Sequence, residues 1–359
     1  MTGVYMKGSL VQSFFQFFSQ KNSHDSFTSL FKSHIFKMFR LLCSLLITLI
    51  TASAEVSQHM FGLLQEMSQF SAVAYCISDK KLTLGNLEDS CPTRFCRGSN
   101  GLKVVEIFEG KATGYVVSDE LNERIIIAFR GSHSAGDYIG DSLAYPFPYS
   151  PLSAPEKNFK LWPSPSCRVH AGFYAVLEDF YNSEAFLQMM DLIDSNPRWK
   201  IVVVGHSLGG ALSALLGAEL AIMGHNLLVV TVAAPKVGNA QFASWIDGVF
   251  NTSSVLKSVL DDVTPQFGYL RLEHSGDQVP RLQPSFLGWM HAGVEFLITK
   301  VKLPHNRQDL SIVESPEDGD EDLDPNFLKE MAKYQKKCRN WLISKFHNEY
   351  FFDISGCKG

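Results

Sequence analysis

A chain of 359 residues with 45% hydrophobic and 19% charged side chains has the profile of a globular protein with a sizeable core, not of a disordered one. The formal net charge is −5, and the first 54 residues carry Lys7, Lys21, Lys32, Lys37 and Arg40 against Asp25 alone, so the remainder is more acidic still. That balance argues against nucleic acid or another polyanion as partner, and an uncharged substrate fits better.

The first feature along the chain is MFRLLCSLLITLITASAEV, residues 38–56. A short basic start, an apolar run over 41–50 and Ala52-Ser53-Ala54 read as a secretory signal peptide. The apolar run is shorter than the roughly 20 residues that a membrane span needs. Such signals begin at an initiator methionine, so Met38 is the expected start and residues 1–37 an over-extension. A long n-region or a signal anchor are the alternatives. Residues 38–54 are then the signal, and 55–359 contain no linker, repeat or low-complexity block and form one domain.

Within that domain the spacing predicts a helix over 57–75 and a Cys/Pro/Gly-rich loop to about 101. Antiparallel strands are expected at 104–108 and 112–117, and a buried apolar strand at 124–131, RIIIAFRG. Pro-rich coil covers 146–165, and one helix is expected from 172 to 194, stopped by Asn196-Pro197. A strand at 200–204, a helix at 208–223 ended by Gly224, a strand at 227–233 and another at GYLRLEHSGD follow. Strands alternating with helices imply an α/β fold, a mainly parallel sheet with helices on both faces. Residues 250–267 and the acidic run 314–324 read as surface insertions, the second as a solvated loop.

The chemistry is concentrated in VVVGHSLGG, where Gly205-His206-Ser207-Leu208-Gly209 lies between an apolar strand and a helix. That context is what a G-x-S-x-G nucleophile elbow requires. Side chains at the flanking positions would collide with neighbouring elements, and the helix N-terminus behind the serine offers N–H groups to an oxyanion. The bland alternative is a tight turn that happens to contain serine.

A serine at neutral pH needs a base, and the base needs an orienting acid; elbow enzymes order them Ser, Asp or Glu, His. Of the downstream histidines, His225 is too close to the serine and His274 lies within a strand ahead of the best acid. His291, His305 and His347 remain, and His347 is favoured because a late loop can fold back over the sheet edge. Asp277 leaves a strand on the serine's edge, whereas Asp261 and Asp262 fall in the first insertion and are expected in solvent.

Of seven cysteines, Cys43 lies in the signal, leaving Cys76, Cys91, Cys96, Cys167, Cys338 and Cys357. An even set in an exported chain suggests disulfides, with the pairing open. No Cys/His spacing suits zinc, and no metal or cofactor is expected. Asn251-Thr252-Ser253 is a glycosylation sequon.

The pieces AYCISDKK, FRGSHS, VHAGF, VVVGHSLGGALSAL, APKVGNAQFA, GDQVPRLQPSFLGWMHAGVEFLI and HNEYFFDISGC, in this order, resemble the fungal class 3 triacylglycerol lipases, the Rhizomucor/Thermomyces-type secreted family. The resemblance implies a single-domain α/β-hydrolase fold with Ser207 as nucleophile, Asp277 as acid and His347 as base. It implies an oxyanion hole from Ser132, by backbone N–H and hydroxyl, and from the Leu208 N–H. It implies bridges Cys76–Cys357 and Cys91–Cys96, which leave Cys167 and Cys338 expected to pair with each other. His170, in VHAGF, is expected to be a hydrogen-bonded structural residue, and the elbow should turn the His206 ring away from substrate.

The departure from the family lies in HSAGDYIGDSLAYPF, residues 133–147, where a short amphipathic lid belongs. Tyr138, Ile139 and Leu143 are broken up by Gly136, Asp137, Gly140 and Asp141, so weak activation at lipid surfaces is expected. The function expected is secreted hydrolysis of acylglycerol esters at a lipid–water interface by a monomer, without a stable protein partner. The alternatives are a feruloyl-type or short-chain carboxylesterase, or a phospholipase A1, on the same fold. A catalytically dead surface-binding protein is disfavoured because every triad and oxyanion position is filled.

Overall fold

The computed structural model describes residues 55–91, 93, 96, 99, 101–132, 145–153, 162–313, 345–355 and 357. The signal segment, the lid run over 133–144, the acidic run and Cys338 lie outside the described residues.

Ser57 caps the first helix, α1 (Gln58–Val73), by accepting from the Met60 N–H, and a 3-10 turn carries the chain on to Cys76. A two-residue strand β1 (Gly85–Asn86) and a helical turn α2 (Leu87–Ser90) lead to β2 (Leu102–Phe108), β3 (Gly114–Asp119) and β4 (Arg124–Phe129). After β5 (Pro146–Pro148) and β6 (Arg168–His170) come α3 (Ala171–Tyr181) and α4 (Glu184–Ser195). The single helix expected over 172–194 is therefore two. Ser183 breaks it, because its Oγ accepts from the Phe186 N–H and caps a second helix whose first residue is Glu184.

The central units are β7 (Lys200–His206), α5 (Leu208–Ile222) and β8 (Leu227–Val232). They are followed by β9 (Gly238–Asn239), α6 (Ala240–Val249), α7 (Thr252–Leu260) and β10 (Gly268–His274). The stretch read as an insertion over 250–267 thus holds a helix whose Val255 and Val259 are buried in the core, while Asp261 and Asp262 are exposed as expected. β11 (Trp289–Met290), β12 (Val294–Ile298), β13 (Leu310–Val313), β14 (Glu349–Tyr350) and β15 (Phe352–Asp353) complete the described chain.

Among the described residues nine strands form the main sheet, in the order β1-β2-β3-β4-β7-β8-β10-β12-β13. Pairing is parallel from β4 through β7, β8 and β10 to β12, and antiparallel at both edges. The central strands are continuous Val/Ile/Leu runs because alternate residues feed two different cores. Val202 and Val204 join α1 and α7 on one face, and Ile201 and Val203 join α3 to α6 on the other. A smaller sheet, ordered β11-β9-β6-β5, lies beside it, and its two- and three-residue strands are too short for sequence periodicity to reveal.

Two disulfides are present among the described residues. Cys76–Cys357 ties the end of α1 to the C-terminal segment, and Cys91–Cys96 closes a short loop. Cys167 is buried and forms no disulfide among the described residues, and Cys338, the partner expected for it, lies outside them.

Candidate active site

β7 passes into α5 with one residue between them, Ser207, held at φ 58° and ψ −125°. Positive φ on a residue with a Cβ costs on the order of 1–3 kcal/mol and persists only where the surroundings impose it. Here the Ser207 N–H bonds to Val232 O at 2.9 Å, and the two flanking glycines let the turn close. A Cβ on Gly205 would stand 2.3 Å from the Gly209 backbone, and one on Gly209 2.3 Å from the Phe129 carbonyl oxygen. The glycines are required by close approach, and Ser207 carries the backbone strain. Leu208 opens α5, so its N–H has no intrahelical acceptor and lies at the positive end of the helix.

The turn after β4 packs against this elbow. A Cβ on Gly131 would meet His206 O at 2.9 Å and Ser207 Cβ at 3.0 Å. The next residue, Ser132, has a buried Oγ with no hydrogen bond among the described residues.

Asp277 leaves the end of β10 in a turn that its N–H closes on His274 O at 2.9 Å. Its Oδ2 accepts from His347 Nδ1 at 2.9 Å and from the Tyr350 O–H at 2.8 Å, and Oδ1 accepts from the Val279 N–H at 2.9 Å. Burial works to raise this carboxyl, but the His347 imidazole and these hydrogen bonds outweigh it and hold Asp277 below the usual carboxylate range. An ionised Asp277 keeps the proton on His347 Nδ1 and leaves Nε2 as the basic nitrogen. That Nε2 is buried and makes no hydrogen bond, to Ser207 Oγ or to any other described group. Contacts of this kind tighten when substrate enters.

His206 brings the two halves together. Its ring centroid is 4.5 Å from that of His347, and its Nε2 lies 2.8 Å from the His347 carbonyl oxygen. The ring does turn into the protein. Other histidines hold backbone: His274 Nδ1 accepts from the Gly276 N–H, His291 Nε2 donates to Pro280 O, and His305 Nδ1 accepts from the Phe351 N–H. His170 caps α3 by accepting from the Gly172 and Phe173 N–H groups, the structural role expected of it.

Neither the Tyr350 bond to Asp277 nor the contacts of His206 leave a pattern in the sequence. The only available signal for Tyr350 was its place three residues after His347. Two open clefts lie at the opposite end of the sheet, lined in part by Arg124, Lys200 and Gln266, and neither contains a serine or cysteine. Among the described residues no group of His, Cys, Asp and Glu could hold a metal ion.

Residues 126–286 match the family model for lipase (class 3). The chain is 32% identical to "Putative lipase LIH1" of Saccharomyces cerevisiae over 86% of its own length and 98% of that protein. The chain belongs to the class 3 lipase family. It is also 29% identical to a secreted mono- and diacylglycerol lipase 2 of Gibberella zeae, over 71% of this chain and 66% of that one. The fold matches the crystal structure of the Lip2 lipase of Yarrowia lipolytica with a TM-score of 0.68 at 24% identity, over 86% of this chain and 99% of that one. This lipase is accordingly a serine ester hydrolase of the α/β-hydrolase fold.

Its buried histidines carry a pH prediction. Burial, with the His347 imidazole adding to it, pushes His206 down to about 3. Burial and the neighbouring His274 push His305 to about 4, and burial lowers His274 and His291 as well. These groups are neutral in the folded lipase and take up protons on unfolding below their ordinary value near 6.5. Their contribution is therefore complete above that pH and is lost as pH falls toward 4. Glu273 works in the opposite direction, since burial raises its carboxyl to about 8, but the histidines outnumber it. Urea unfolding at pH 5 should show a stability lower than at pH 7 by about 2–4 kcal/mol. Equal or higher stability at pH 5 would contradict this reading.

Proposed function

We propose that this lipase is exported and hydrolyses the carboxylic ester bonds of acylglycerols, with Ser207 as nucleophile, His347 as general base and Asp277 as the acid that orients it. The observation that supports the reading is the arrangement at the elbow: a strained Ser207 follows His206, whose ring lies 4.5 Å from that of His347, and the His347 Nδ1 is held by a buried carboxylate that accepts three hydrogen bonds. The acylglycerol class draws on the relative in Gibberella zeae, which is named a mono- and diacylglycerol lipase.

Ser207 Oγ attacks the ester carbonyl carbon as His347 Nε2 takes its proton. The carbonyl oxygen becomes an oxyanion, which accepts from the Leu208 N–H and from the Ser132 N–H and hydroxyl. The unpaired Ser132 Oγ suits that task, because a buried hydroxyl without a partner is a donor held in reserve. The imidazolium then protonates the departing alcohol as the C–O bond breaks, leaving an acyl-enzyme. Water enters, gives a proton to His347 and attacks the acyl carbon; the imidazolium then returns that proton to Ser207 Oγ as the C–Oγ bond breaks, and the fatty acid leaves with Ser207 and neutral His347 restored.

Export rests on the signal-like segment over 38–54 and on two disulfides, which suit an oxidising compartment. The exposed Asn251, at the start of α7, is a place for a glycan. The enzyme would act as a monomer at a lipid–water interface.

Ser132→Ala should lower kcat by about tenfold to a thousandfold, with the backbone donors limiting the loss. An unchanged rate would remove the hydroxyl from the mechanism. Substrate class is tested by a panel of emulsified long-chain and soluble short-chain or aromatic esters. Preference for emulsified acylglycerols supports the proposal, and strong preference for soluble short or feruloyl-type esters would overturn it in favour of an esterase.

A further inference from the structure

The two residues whose contacts no sequence motif explains, Tyr75 and His206, are linked to each other and to His347. Tyr75 Oη lies 2.7 Å from His206 Nδ1, and His206 Nε2 lies 2.8 Å from the His347 carbonyl oxygen. A carbonyl oxygen only accepts, so His206 Nε2 carries a hydrogen. A neutral imidazole has one N–H, so Nδ1 is bare and the Tyr75 hydroxyl donates to it. The direction of every hydrogen in the chain is thereby fixed from Tyr75 to the backbone of the catalytic base.

We propose that Tyr75 and His206 are positioning residues for His347, a relay that locks the backbone and ring of the base beside the elbow and keeps His206 uncharged beneath it. The assignment rests on the triad proposed above. Three features of the surroundings serve the relay. Tyr75 sits on the turn immediately before Cys76, whose bridge to Cys357 anchors the C-terminal segment that bears His347 to that turn. Gly131 leaves room for the hydroxyl, since a Cβ there would stand 2.3 Å from Tyr75 Oη and push it off His206. His206 and Tyr75 are both buried, so neither bond is exchanged for water.

The second function of the relay is electrostatic. His347 becomes an imidazolium in each half-reaction, with the His206 ring 4.5 Å away. A charged His206 at that distance would oppose the proton transfer. The titratable groups facing His206 are Tyr75, His347, Asp277 and Tyr350, with Arg130 beyond Tyr75. Among these, the Tyr75 hydroxyl occupies the one nitrogen of His206 that could take a second proton.

Tyr75→Phe removes the donor and keeps the ring. It frees His206 Nδ1 to protonate as pH falls, so His206 and His347 then titrate together. The expected result is a kcat lower by about ten- to a hundredfold with KM within a factor of about two. The acid limb of the pH profile of kcat/KM should steepen from a one-proton toward a two-proton slope. In Tyr75→Phe/His206→Gln no ring is left to charge, and the limb should return to a one-proton slope. A Tyr75→Phe enzyme with unchanged kcat and slope would overturn the proposal, as would a loss confined to KM, which would make Tyr75 a wall of the substrate site. Ser207→Ala separates the two levels of the argument. Hydrolysis that survives it removes the triad itself, whereas inactivity there with an unaltered Tyr75→Phe profile removes the relay alone.

Discussion

Ser207→Ala is expected to abolish ester hydrolysis, lowering kcat by about five to six orders of magnitude while leaving the fold intact. Removing the nucleophile of an acyl-transfer triad costs that much because the remaining groups act only through it. The substitution keeps the Cβ, and hence the packing that closes the elbow between the turn after β4 and the end of β8. Ser207 Oγ makes no capping bond to its own helix, so its loss removes no cap. Thermal unfolding of the variant should therefore lie within a few degrees of the parent. A rate reduced by less than about a hundredfold, in a folded variant, would make Ser207 a turn residue and not the nucleophile.

The second large effect is expected at Asp277. Asp277→Asn should reduce kcat by about 10^4-fold, because an amide presented to His347 Nδ1 favours the wrong tautomer and removes the charge that stabilises the imidazolium. The structure adds a reason why the effect should not be softened by rearrangement. Oδ2 serves His347 and Tyr350 at once, while Oδ1 is held by the Val279 N–H. An Asn side chain cannot present oxygen to all three donors, and turning its NH2 toward His347 or Tyr350 sets donor against donor. A stability loss of roughly 1–3 kcal/mol should accompany the kinetic one, since a buried donor is left unpaired. Urea unfolding and steady-state kinetics on the same preparation read both. Near-parental kcat in Asp277→Asn would assign the acid elsewhere.

What the sequence made legible was whatever local sterics enforce. The Gly205–Gly209 pattern could be read as an elbow because strand, turn and helix are adjacent in the chain, and the apolar run of β7 leads straight into it. Asp277 was legible for a similar reason, as an acidic residue just past the end of a strand. His347 was one of three candidates, favoured on residue pattern only by its place in a late loop, and the resemblance to a family independently favoured the same histidine. Its contact with Asp277 closes 70 residues, and no periodicity records a contact of that span. The link from Tyr75 to His206 closes 131 residues and was invisible for the same reason. The split between α3 and α4 was within reach, since Ser183-Glu184 is an N-cap signal, but the strong apolar pattern on both sides masked it. The small second sheet could not be read at all, because strands of two or three residues have no pattern to display.

In the proposed mechanism Ser207 is made nucleophilic by His347. Treatment with an ester-like organophosphonate followed by peptide mass spectrometry tests it most directly. The expected result is a single stoichiometric adduct on Ser207, with hydrolysis lost in proportion, and labelling slowed by orders of magnitude in His347→Asn. An adduct on another residue, or full labelling of Ser207 with activity retained, would contradict it.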